Sequence, residues 1–116
     1  GIRREFHKLY FQDFIEESYW LPPLDIVGDE EEIVIALEIP GILKDDISIS
    51  LEEKVLTIKG RKENKSSAED RVYYRSECPV GPFKRVISLP EGFEIGEIEA
   101  SYKYGVLRIT ISKAEP

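Results

Sequence analysis

The sequence predicts an all-β fold, an immunoglobulin-like β-sandwich preceded by one short amphipathic helix. Three observations carry that reading. After Pro22-Pro23, apolar side chains recur at every second position in segment after segment. Glycine, proline and paired acids cut these segments apart. Only before the prolines does the apolar spacing become three and four.

The helical stretch is predicted over residues 2–17, where Ile2, Phe6, Leu9, Tyr10 and Phe14 share one face and Arg3, Arg4, Lys8, Gln12 and Glu16 lie elsewhere. The two prolines rule out a continuous helix and push the residues before them toward extended geometry. Residues 24–27 form a short strand ended by Gly28-Asp29, and residues 32–39 follow with Ile33, Ile35, Leu37 and Ile39 on one face. Pro40-Gly41 stops that strand, and a turn through residues 44–46 opens into residues 47–51, where Ile47, Ile49 and Leu51 alternate with serine. Glu52-Glu53 turns the chain into a strand over residues 54–59, closed by Gly60.

Residues 61–71 contain no large apolar side chain, so they form a loop that is long for a compact domain, with Val72-Tyr73-Tyr74 as a short strand inside the excursion. Residues 80–89 come next, with Phe83, Val86 and Leu89 apolar among charged neighbours, and Pro90 ends the strand because it lacks a ladder N–H. Residues 98–102 and 106–111 then make a hairpin on Tyr104-Gly105. The count comes to roughly eight strands, which suits a sandwich.

At 116 residues the chain fits one domain, and 41% hydrophobic with 34% charged residues reads as globular and charge-rich. Sixteen basic against 23 acidic side chains leave a net charge of −7, which argues against nucleic acid as a partner. The densest basic spots, Arg61-Lys62 with Lys65 and Lys84-Arg85, read as solvated or paired surface. No apolar run is long enough for a membrane span, and no basic-then-apolar segment suggests a secretory signal. The chain opens on Gly1 rather than Met, which leaves open whether upstream residues were removed.

The single cysteine, Cys78, has no internal disulfide partner, which fits a reducing compartment and a cytoplasmic location. The one histidine, His7, lies on the helical stretch and offers no Cys–His site. Asp45-Asp46, Glu52-Glu53 and Glu30-Glu31-Glu32 occupy turns and strand edges, where charge keeps a sheet soluble, so catalysis, a metal and a cofactor are not expected. The glycines stand singly, without a phosphate-cradling loop and its lysine, so ATP dependence is not expected either.

The last third of the chain holds an ordered set: Pro82-Phe83-Lys84-Arg85, Leu89-Pro90, Ala100, then Tyr104-Gly105-Val106-Leu107. It resembles the signature of the α-crystallin domain of small heat-shock proteins. That signature runs from a phenylalanine and arginine through Leu-Pro to an alanine four residues before Asn-Gly-Val-Leu. Pro23-Leu24-Asp25-Ile26, Pro40-Gly41-Ile42-Leu43-Lys44-Asp45-Asp46-Ile47 and Leu56-Thr57-Ile58-Lys59-Gly60-Arg61 resemble further blocks of the family in the right order. Tyr104 departs from the family asparagine, and Cys78 stands after Glu77 where arginine is common.

The resemblance divides the chain into an N-terminal arm over residues 1–21, an α-crystallin domain over 22–113 and the start of a C-terminal extension at 114–116. It implies an ATP-independent chaperone that holds partly unfolded client proteins, as a homodimer assembling into larger homo-oligomers. Clients are expected on the aromatic arm: Phe6, Tyr10, Phe11, Phe14 and Trp20. The other reading of that arm is a cover docked on its own sandwich.

A shallow apolar groove is expected if the strand of Ile47, Ile49 and Leu51 faces that of Ile98, Ala100 and Tyr102 at the sandwich margin, though alternation alone does not separate groove from core. The resemblance implies that a neighbouring subunit's Ile-x-Ile tail occupies it. No such tail follows Lys113-Ala114-Glu115-Pro116, which leaves open whether it is absent or cut away. The dimer interface is expected to add Val72, Tyr73 and Tyr74 as an edge strand to a partner's strand containing Leu24 and Ile26. Arg85 matches the family arginine implied to ion-pair across that interface; the plainer reading is an exposed strand arginine. The rival function is a sandwich co-chaperone adaptor that binds one folded chaperone, a type that lacks the long excursion. An enzyme or sugar-binding sandwich ranks behind both, because no aromatic cluster marks a strand face.

Overall fold

The computed structural model describes residues 12–14, 20–63 and 71–115; of residues 12–14 it describes the backbone alone. Among the described residues, eight strands form two antiparallel four-stranded sheets. One sheet runs β1 (Gln12–Phe14), β6 (Gly81–Ser88), β5 (Val55–Lys62), β4 (Ile47–Glu52). The other runs β2 (Leu24–Gly28), β3 (Glu32–Glu38), β8 (Val106–Lys113), β7 (Ile95–Lys103). A single 3₁₀ turn, Lys44–Asp46, leads into β4.

Period-two alternation decides which side chains meet between the sheets. Ile33, Ile35 and Leu37 of β3, together with Leu107, Ile109 and Ile111 of β8, face Leu56 and Ile58 of β5 and Phe83 and Ile87 of β6, all of them buried. Each fully buried side chain of this size contributes about 1.5–3 kcal/mol relative to exposure. The intervening residues point to water, so a one-residue slip in β3 would exchange four isoleucines and leucines, Ile39 included, for Glu32, Val34, Ala36 and Glu38.

Three expectations change. The helix predicted over residues 2–17 does not extend through Gln12–Phe14, which instead pair with Val86–Ser88. The edge of β6 carries backbone donors and acceptors that β5 does not reach, and an extended segment satisfies them where a helix would not. The rest of that helical stretch lies outside the described residues. Gly60 does not close β5, which runs on to Lys62. Gly60 sits opposite both Ile47 and Phe83, and a Cβ there would run into the Phe83 ring. The glycine lets the ring lie against the backbone.

Val72-Tyr73-Tyr74 is not a strand within this chain. A three-residue strand needs a ladder partner, and its own sheets supply none.

Candidate functional site

Strands β4 and β7 are each at the edge of a sheet among the described residues, and residues of both line one cleft, which puts them at the same margin of the sandwich. Ile98, Ala100 and Tyr102 lie on the inner face of β7, in register with Ile111, Ile109 and Leu107 of β8. Beyond them, at the margin, lies a shallow cleft of about 120 Å³ lined by Lys44, Ile47, Ile49, Ala100, Ser101, Tyr102 and Leu107. Tyr102 forms its polar end. The hydroxyl stands 2.7 Å from the Ile42 carbonyl oxygen and 2.9 Å from that of Ile39 and donates its one proton to this pair. That fixes the ring against the connection from β3 to β4 and keeps Tyr102 a wall of the cleft.

Of the six residues expected in a tail-binding groove, Ile47, Ile49, Ala100 and Tyr102 line this cleft. Leu51 packs against the core beyond the cleft, and Ile98 is exposed on the same face of β7 without lining it. Lys44, Ser101 and Leu107 were not foreseen. Leu107 follows from register alone, since a two-residue turn at Tyr104-Gly105 sets it opposite Tyr102. Lys44 comes from the 3₁₀ turn, which the alternation of β4 does not reveal.

At the opposite margin β2 is also an edge strand, so its outer backbone groups face no strand among the described residues. Leu24 and Ile26 point inward and are half-buried against the core, so the edge offers its main chain more than these two side chains. In the excursion, Val72 is 75% and Tyr74 98% exposed, and Tyr73 is exposed as well.

Arg85 is neither exposed nor on the outer face. It alternates with Phe83 and Ile87 on the core side of β6, is 8% exposed, and its guanidinium donates to the Pro22 carbonyl at 2.7 Å. Burial pulls its pKa below the ordinary arginine value.

Of the arm aromatics, Phe6, Tyr10 and Phe11 lie outside the described residues, and Phe14 belongs to β1. Trp20 is docked on its own sandwich. Its indole N–H donates to the Gly81 carbonyl at 2.9 Å, and its ring meets Phe83 edge-on at 5.5 Å.

The acidic turn between β2 and β3 is built by Asp29, whose carboxylate accepts from the backbone N–H groups of Glu31 and Glu32 at 2.8 and 3.0 Å. These bonds hold its pKa below the ordinary carboxylate value. Among the described residues no three His, Cys, Asp or Glu side chains come together as a metal site, and no helix is long and apolar enough to cross a membrane.

The description "Hsp20/alpha crystallin family" belongs to the family model that matches residues 25–116. Small heat shock protein C2 of Rickettsia felis is 35% identical over 125 residues, covering 98% of this chain and 81% of that protein. A probable 15 kDa heat shock protein of Leptospira interrogans is 38% identical over 95 residues, covering 82% of this chain and 72% of its own. Among solved structures, a small heat-shock protein from Xylella fastidiosa superposes with a TM-score of 0.74 at 32% identity, over 84% of this chain and 89% of that one. Heat shock protein 16.0 of Schizosaccharomyces pombe superposes with a TM-score of 0.75 at 27% identity, over 83% and 89%.

Proposed function

The chain belongs to the Hsp20/alpha crystallin family, and from that premise we propose that it is an ATP-independent holdase, binding partly unfolded proteins and keeping them from aggregating. The observation that carries the reading is the margin between β4 and β7, where Ile47, Ile49 and Ala100 border an apolar cleft that the chain's own described residues leave open. An extended segment with two apolar side chains two residues apart fits such a margin, because alternate side chains of one strand point the same way. The Ile-x-Ile tail of a neighbouring subunit is the proposed occupant, with Ala100 leaving room for one isoleucine.

The minimal unit of this proposal is a homodimer. The β2 edge accepts Val72-Tyr73-Tyr74 of a second copy as an added strand, which satisfies backbone groups on both partners. Arg85 acts in this reading from within its subunit, holding Pro22 and hence the entry to β2, so that the accepting edge stays in place. The aromatic arm is assigned to larger assembly and client contact, with Phe6, Tyr10, Phe11 and Phe14 as the contact residues.

The test is light scattering of a heat-aggregating client with and without the full chain, ATP omitted throughout. Suppression that needs no nucleotide supports a holdase. Undiminished aggregation at several-fold molar excess of the chain overturns it.

A further inference from the structure

The connection between the two sheets over Trp20 to Pro23 is tied to β6 at three points. Trp20 forms an isolated parallel bridge with Phe83. Its indole N–H reaches the Gly81 carbonyl at 2.9 Å. Two residues on, the Pro22 carbonyl takes the Arg85 guanidinium at 2.7 Å. Gly81 is the first residue of β6, the point at which the excursion after β5 re-enters the sheet, and its φ of 98° is a conformation open mainly to glycine. The C-terminal end of the arm thus holds the carbonyl of the residue at which the excursion pivots.

The contact carries more than surface cover. Trp20 gives the chain's only indole to a backbone carbonyl 61 positions away, and the ring it packs on, Phe83, is itself buried over Gly60. Among the described residues nothing lies within 4 Å of where a Gly81 Cβ would stand, while the Gly81 backbone is in register with Lys62 of β5. A shallow cavity lined by Arg61, Lys62, Glu63, Val80 and Gly81 opens at the same root. The indole bond to the Gly81 carbonyl thus adds a side-chain tie to the ladder register at the residue where residues 71–80 join β6.

We propose that Trp20 is a latch coupling the N-terminal arm to the excursion: displacing the arm frees the Gly81 carbonyl and releases the root of residues 71–80. The consequence for assembly rests on the dimer reading above, but the latch itself is a property of one subunit.

The chain supplies both probes for the test. Trp20 is its only tryptophan, and Cys78, its only cysteine, is exposed within the excursion and takes a spin label. Full-length protein, Trp20→Phe and Trp20→Ala are labelled at Cys78 and compared by label mobility and by hydrogen exchange over residues 80–84. Trp20→Phe keeps a ring against Phe83 while losing the indole N–H and part of the ring's bulk, so it remains informative if Trp20→Ala does not fold. Loss of one neutral hydrogen bond should speed exchange at the root by about 2- to 10-fold and raise label mobility in Trp20→Phe. Adding an unfolded client should red-shift Trp20 emission and mobilise the label together in the parent chain, with little further mobilisation in Trp20→Phe. Label mobility and exchange unchanged in both variants would overturn the latch, as would a client-induced red shift that leaves the label unmoved. Sedimentation of the same samples reads the dimer separately, so a monomeric chain with a working latch refutes only the assembly reading.

Discussion

Tyr104 has φ 55° and Gly105 φ 77°, so both residues of the β7–β8 turn occupy the left-handed region. That is the geometry a two-residue hairpin demands, and an aromatic residue adopts it at a cost that asparagine largely avoids. Tyr104 is exposed, so its ring offers little burial in return. Tyr104→Asn should raise stability by about 0.5–1 kcal/mol, read as a higher denaturant midpoint with unchanged slope. Gly60→Ala should act in the opposite sense. The new methyl meets the buried Phe83 ring, and overpacking of this kind costs about 1–3 kcal/mol. Asp29 carries a pH signature. Its folded pKa lies below the unfolded value, so its stabilisation is present above the unfolded pKa and is lost as pH falls through the folded pKa. In an acid titration of thermal midpoints, Asp29→Asn should narrow its difference from the parent chain as pH drops below about 4.

The paired edges β4 and β7 make a claim about elements that one substitution checks. Ala100→Trp should fill the cleft bordered by Ile47 and Ile49 and abolish binding of an Ile-x-Ile peptide, measured by calorimetry, while the protein stays folded. Unchanged affinity would move the binding site elsewhere. Deleting residues 61–71 should give monomers by sedimentation if the excursion carries the added strand; a persistent dimer refutes that exchange. Strands β4 and β7 were legible in the sequence because strict alternation fixes a strand's faces, and Ile47, Ile49, Ala100 and Tyr102 sit where that alternation puts them. What alternation does not encode is which neighbour a face meets. Leu51 has the same period as Ile49 and packs on the core as Ile49 does, yet only Ile49 also lines the cleft, and Arg85 has the same period as Phe83 and so turns inward, where charge alone suggested a surface. Gln12–Phe14 misled for a related reason: helical spacing describes a segment's own amphipathicity, while an unfilled edge on β6 sets its pairing.

Across the whole molecule, the arm and the sandwich should separate by function. Removing residues 1–20 should leave a dimer but reduce both larger assemblies and protection of heated clients, scored by light scattering. Full protection by the shortened chain would place client contact on the sandwich. The two margins of that sandwich are fastened differently among the described residues: one by the side chains of Trp20 and Arg85, the other by the Tyr102 hydroxyl and the Ile39 N–H to Gly105 bond at the β3–β4 connection. If these unequal fastenings set the order of loosening, the sandwich opens as a clamshell does. Warming should make it gape at the β4–β7 lips well before its hinge yields, presenting Ile47, Ile49 and Leu107 in graded amounts as temperature climbs. The fold would then meter its own stickiness, a thermometer set by where its fastenings lie.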